Sequence, residues 1–180
     1  MNLRFFCAAG CVLTLSACAT DGTTPAAGGT AMQTAPAGNA AFRTADFTWS
    51  TAPGTGQIVG QLSSKAKGKV QSCVDAGVVL TPETPWVRSR MTILYASAER
   101  AALPAADVRA RTPPERNQDY SAFVRRAACD ASGKFTFTSL PNGAFYVITV
   151  ARPQPAGSGP DMAIMRRVVV RSGAAVKVAL

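Results

Sequence analysis

Hydrophobic and polar positions divide the 180-residue chain into three regimes. Phe5 to Ala17 is an almost unbroken apolar stretch of 13 residues, shorter than the roughly 20 that cross a bilayer as a helix. Beyond Cys18, residues 19–41 are almost wholly Ala, Gly, Thr and Pro, with no apolar period and nothing large enough to pack. That composition predicts a disordered tether with an end-to-end distance of roughly 25 Å. From there on, short β-rich segments alternate with turn residues. Gln57 to Leu62 places Ile58, Gly60 and Leu62 on one face, Val78 to Leu80 is an apolar run closed by Thr81-Pro82, and Met91 to Tyr95 continues the pattern. Lys134 to Thr138 alternates with period two, with Phe135 and Phe137 on one face and Lys134, Thr136 and Thr138 on the other. Phe145 to Val150, Arg167 to Val170 and Ala174 to Leu180 bring the set to about seven strands. Gly, Pro and Asn mark the boundaries, and the pattern predicts an all-β fold, a single antiparallel β-sandwich over residues 56–180.

Two stretches stand outside that pattern. Phe42, Phe47 and Trp49 form an aromatic lead-in over residues 42–55, and an extended backbone there would put Phe47 and Trp49 on one face, packed on the sandwich. Trp86, after Pro85, either caps the core or stands at a loop tip. Residues 97–119 are too long for a hairpin connection and lack a sustained apolar period, although a short helix fits around Ser97 to Leu103. Loops of this length are either solvated insertions or functional, and Arg109, Arg111 and Arg116 make this one a candidate interaction loop.

The N-terminus carries an address. Met1 to Arg4 supplies a basic start, the apolar stretch follows, and Leu15-Ser16-Ala17-Cys18 closes it. This resembles a bacterial lipoprotein signal peptide ending in a lipobox. The resemblance implies cleavage after residue 17, acylation at Cys18 and a membrane-anchored mature chain. Two or three acyl chains hold a protein firmly, since each buried methylene adds about 0.8 kcal/mol. With Ala19 rather than aspartate after the cysteine, it further implies the outer membrane, facing the periplasm.

Removal of Cys7 and Cys11 with the peptide, and acylation of Cys18, leave Cys73 and Cys129. Two cysteines in an exported chain predict a disulfide, because the compartment is oxidising.

One block is sharper than the strand pattern. Asp130-Ala131-Ser132-Gly133-Lys134-Phe135-Thr136-Phe137 is followed by Leu140-Pro141-Asn142-Gly143-Ala144-Phe145-Tyr146-Val147. Here the chain resembles the carboxypeptidase regulatory-like family, whose members are prealbumin-like Greek-key β-sandwiches. The turn chemistry is physical: Gly133 and Gly143 can take positive φ, Asp130 can accept hydrogen bonds from the turn backbone, and Pro141 presets its φ. The family resemblance implies the Greek-key order but no activity.

Composition then narrows the chemistry. The formal charge of +9 favours anionic surfaces, carried mainly by Arg88, Arg90, Arg125, Arg126, Arg166 and Arg167. In an envelope these are headgroups, lipopolysaccharide or cell-wall polymers. Arg125-Arg126 and Arg166-Arg167 also suit strands that simply turn one arginine to each side. No nucleic-acid-binding motif is present. The chain contains no histidine, which removes Ser-His-Asp triads, Cys-His pairs and most catalytic zinc sites. Asp107, Glu115, Asp119 and Asp130 could pair in space, but no spacing selects two of them, and no calcium-loop pattern or cofactor motif appears. The sequence therefore predicts a non-catalytic structural or protein-interaction module of the envelope, with no cofactor or metal. The alternatives are a binder of anionic cell-wall or lipopolysaccharide carbohydrate, and a histidine-free hydrolase.

Overall fold

Phe145, Val147 and Ala151 face one way along a strand, while Tyr146, Ile148 and Val150 face the other, and both sets pack. A strand apolar on both faces must be covered twice, and this requirement organises the molecule into three layers. A computed structural model describes residues 40–180 except 63, 64, 67, 68, 75, 115–117 and 172. The predicted signal peptide, Cys18 and the tether to residue 39 lie outside the described residues, as do Glu115 and Arg116.

The smaller sheet has the order β10-β1-β7, from β1 (Gly56–Gln61), β7 (Lys134–Leu140) and β10 (Ala175–Ala179). The larger is built around β8 (Gly143–Pro153), flanked on one side by β9 (Met162–Val170) and β5 (Arg100–Pro104), and on the other by β4 (Gly77–Pro82) and β6 (Arg125–Ala128). Beyond β4, the end of β8 pairs with β3 (Lys69–Ser72), which pairs with β2 (Lys65–Ala66). The facing sides of the two sheets enclose one core: Ile58, Phe135, Phe137 and Val178 meet Val78, Leu80, Phe145, Val147, Ile164 and Val168. The outer side of the larger sheet carries a second core, where Tyr146, Ala163 and Met165 are covered by Phe47 and by helices α1 (Pro85–Tyr95) and α2 (Ala105–Ala110). Among the described residues no helix is long and apolar enough to cross a membrane.

The alternation seen in the sequence holds at β7, where Phe135 and Phe137 are buried while Lys134, Thr136 and Thr138 are exposed. The β6–β7 turn also forms as its chemistry requires. Asp130 Oδ1 accepts from the backbone N–H of Ser132 at 2.8 Å and of Lys134 at 2.9 Å, and Gly133 sits at φ 76°. Cys73 and Cys129 are joined in a disulfide that ties the segment after β3 to the end of β6.

Several expectations are corrected. Met91 to Tyr95 is the last part of α1 rather than a strand. Val87, Met91, Leu94 and Tyr95 are buried at spacings of four, three and one, and Thr84 Oγ1 accepts from the Val87 N–H at 3.1 Å as the N-cap, with Pro85 opening the helix. A five-residue apolar window hides this period. Residues 97–103 are not helical: Ala96 ends α1 in the left-handed region, and β5 follows and pairs with β9, with α2 beyond it. The 97–119 segment is thus only partly a loop. The aromatic lead-in is a 3₁₀ helix, Thr44–Thr51, rather than an extended strand. Its Thr48, Ser50 and Thr51 hydroxyls donate to the carbonyls three residues back, and Phe47 packs into the helix-side core while Trp49 packs on Phe145. The sheets are not wholly antiparallel, because β10 runs parallel to β1. A parallel pair needs a long crossover, and here nearly the whole domain lies between the two strands. Ten strands rather than about seven occur among the described residues, since β2, β3, β5 and β6 are too short or too polar to show a period.

Candidate functional site

The helix layer does not cover the larger sheet completely, and the gap is a cleft of about 310 Å³. Its floor follows from strand register: Arg126 of β6 pairs with Val79 of β4, which pairs with Ile148 of β8, so the three form one row on the outer face. One wall is α1, through Trp86, Val87, Arg90 and Met91, and the other is the segment before β6, through Gln118, Asp119, Tyr120, Ser121 and Val124. The volume lies at the lower end of the range of small-molecule pockets, and an apolar floor with a few polar groups is their usual make-up. Asp119 accepts from the Ser121 N–H at 2.9 Å, and hydrogen bonding from Ser121 holds its carboxyl below the usual carboxylate range. Among the described residues the cleft therefore presents one charged carboxylate with two guanidinium groups, those of Arg90 and Arg126.

Aromatic packing shapes the wall. Phe42, Phe47, Trp86, Tyr120 and Phe123 form a cluster with ring centroids 5.2–6.4 Å apart. Trp86 is only 8% exposed: Phe42 and Tyr120 meet it edge to face, and the Arg90 guanidinium lies over its ring at 5.4 Å. Trp86 thus caps the core and offers no open face for stacking. A second cavity of about 350 Å³ lies on the other side of Trp86, Arg90 and Gln118, which line both, and is completed by Phe42, Ile93, Pro113 and Pro114 among others.

The strongest electrostatic cluster lies elsewhere, where β4 enters α1. Glu83 receives Arg88 Nη1 at 2.6 Å and Arg167 Nε at 2.7 Å, Arg88 also reaches Glu99 at 2.9 Å, and the Tyr146 hydroxyl donates to the Ala98 carbonyl at 3.1 Å. Burial raises the Glu83 carboxyl, but the hydrogen bonds from Arg167 and Arg88 outweigh it and hold the group below its ordinary range. Burial, with Glu83 nearby, pushes the Tyr146 phenol up. Each guanidinium bridges both carboxylates, so the cluster ties β4, α1 and β9 together, and a carboxylate held ionised in this way is a poor proton donor at neutral pH.

The arginine pairs prominent in the sequence divide between bridging and display. Arg125 donates to the carbonyls of Thr138 at 2.8 Å and Ser139 at 3.3 Å, and Arg166 to that of Ala179 at 3.3 Å, so each bridges the two sheets. Arg167 joins the Glu83 cluster, and Arg126 lines the cleft. Of the candidate loop residues, Arg109 is exposed on α2, and Arg111, just after α2, donates to the Leu94 carbonyl at 3.4 Å. Neither lines either cavity. Asp107 is exposed on α2, Asp119 lines the cleft and Asp130 holds its turn, and no metal-binding group of three or more acids or cysteines occurs among the described residues. Gln118 and Tyr120 were not singled out by sequence, because they sit in a stretch with no period, and only the fold brings them opposite α1.

No family model matches the chain, and no curated protein matches it. A solved structure from Pseudomonas aeruginosa, described as "a putative carbohydrate binding protein", aligns with 79% of this chain and 99% of its own, with a TM-score of 0.56 and 23% sequence identity. What the two proteins are shown to share is the β-rich fold.

Proposed function

We propose that the chain is an outer-membrane lipoprotein, anchored through Cys18 and facing the periplasm, whose sandwich is a non-catalytic binding module for a saccharide of the cell envelope. The observation that carries the binding reading is the cleft itself, with an apolar floor at Val79 and Ile148 and a rim of Gln118, Asp119, Arg90 and Arg126. A sugar ring has the matching character, with C–H faces that rest on apolar surface and hydroxyls that pair with amide, carboxylate and guanidinium groups. The description of the structural neighbour supports the same reading. Anchoring is supported by the lipobox residues Leu15 to Cys18. A protein-interaction module is the second reading, favoured by the burial of Phe47 and Trp86, which keeps these two rings from stacking on a ligand.

One experiment addresses each half. Titration of the full-length chain, purified in detergent, with saccharides released from peptidoglycan and lipopolysaccharide is expected to shift NMR signals of the cleft residues. Silence of those signals at millimolar saccharide would sink the glycan reading and leave the protein-interaction one. Metabolic labelling with a radioactive fatty acid is expected to mark the wild type and to be lost in Cys18→Ala, and equal labelling of both would remove the anchor.

A further inference from the structure

We infer that the ligand of the sheet-face cleft carries an acidic group, a carboxylate or a phosphate on the sugar, and that Arg126 is the residue that selects it. The inference rests on the saccharide reading above and adds the chemistry of the ligand and the side chain that reads it.

The argument begins with strand alternation. β6 is an edge strand with two consecutive arginines, and successive side chains point to opposite faces of a sheet. Arg125 turns into the sandwich, where its guanidinium is held by the carbonyls of Thr138 and Ser139. Arg126 therefore turns outward, in the row with Val79 and Ile148 that forms the cleft floor. Its side chain is exposed and makes no hydrogen bond or ion pair with another described residue, in contrast to those of Arg88, Arg125, Arg166 and Arg167, which are each engaged. The planar fork of a guanidinium matches carboxylate and phosphate oxygens two at a time.

The rest of the lining fits an acidic sugar better than a neutral or cationic one. Among the described lining residues, two guanidinium groups, that of Arg90 over the Trp86 ring and that of Arg126, stand with one carboxylate, that of Asp119. Asp119 and Gln118 can take sugar hydroxyls as acceptor and as amide partner, which leaves the acidic group to Arg126.

The test uses the full-length chain in detergent and four probes: glucose, glucosamine, glucuronate and glucose 6-phosphate. Glucuronate, glucose 6-phosphate or both are expected to bind about tenfold more tightly than glucose, the gain of one charge-assisted pair, and glucosamine more weakly than glucose. Arg126→Gln is expected to bring the ratio of acid to glucose affinity from about tenfold to near one while leaving thermal stability unchanged, and Arg126→Lys to restore part of that ratio. Which of the two acids gains distinguishes a carboxylate-bearing from a phosphate-bearing ligand. Equal binding of glucose and both acids, or a preference that survives Arg126→Gln, would overturn the inference and leave the saccharide reading standing. Failure of all four probes to bind would overturn both.

Discussion

A Cβ at Gly60 would fall inside the ring of Phe135, its cross-strand partner, whereas one at Gly77 would meet nothing within 4 Å. The two glycines therefore carry opposite predictions. Gly60→Ala forces a buried ring off its site, and overpacking of this kind costs about 2 kcal/mol even after the strand gains some backbone rigidity. Gly77→Ala is expected to be neutral or to stabilise by about 0.5 kcal/mol through the unfolded chain. Urea unfolding of both variants checks the pair, and a neutral Gly60→Ala would show that the ring can move aside. At this scale much was legible: Asp130, Gly133, Phe135 and Phe137 behave as their local pattern requires, because turn chemistry and period-two burial are short-range properties. The meeting of Gly60 and Phe135 was not, because register between strands more than 70 residues apart is settled by the whole core.

Helix α1 supplies one wall of the site, and the sequence pattern places a strand at its last turn. Met91 to Tyr95 is apolar and β-prone when taken alone, but Thr84 caps a helix that buries Val87, Met91 and Leu94, and the Glu83 cluster fixes where that helix starts. The cluster makes this junction acid-sensitive. The Glu83 carboxyl is lowered in the folded protein from an ordinary value of 4.5, so its contribution to stability is fully present above about pH 4.5 and is lost as pH falls through the folded value. The groups facing it are Arg88, Arg167 and Tyr146, with Glu99 on the same two arginines, and both arginines stay charged throughout this window. Melting temperatures from pH 6 to pH 3 are therefore expected to fall more steeply for the wild type than for Glu83→Gln, which starts lower and loses less on acidification. Parallel curves would place the acid sensitivity elsewhere.

The disulfide ties together two strands of the larger sheet, and the bridging arginines hold that sheet to the smaller one and to α1. Cys73 and Cys129 are 56 residues apart, and closing a loop of that size restricts the unfolded chain by about 4 kcal/mol in the chain-entropy model. The double variant Cys73→Ser, Cys129→Ser is expected to unfold at lower urea than the oxidised wild type by a difference approaching that figure. A midpoint unchanged by the double substitution would mean that the contacts of β3 and β6 suffice without the bond. The site belongs to this scale as well. Its floor comes from β4, β6 and β8 and its walls from α1 and residues 118–124, so no single segment contains it.

By itself, the sequence determined the properties that depend on neighbours along the chain: the lipobox-like start as a predicted address, the strands with clean alternation and the Asp130 turn; it also led to the expected pairing of Cys73 with Cys129. Only the tertiary structure decided that β10 lies parallel to β1, that Phe47 and Trp49 enter different cores, and that Arg126 faces a cleft while Arg125 clips the sheets together. The reason is physical. A strand's period says which residues share a face, but which of its two faces meets the other sheet and which meets the helices depends on partners far away in the chain. β8 is apolar on both faces, so its alternation could not choose between them, and the helix layer that covers one of them also creates the cleft.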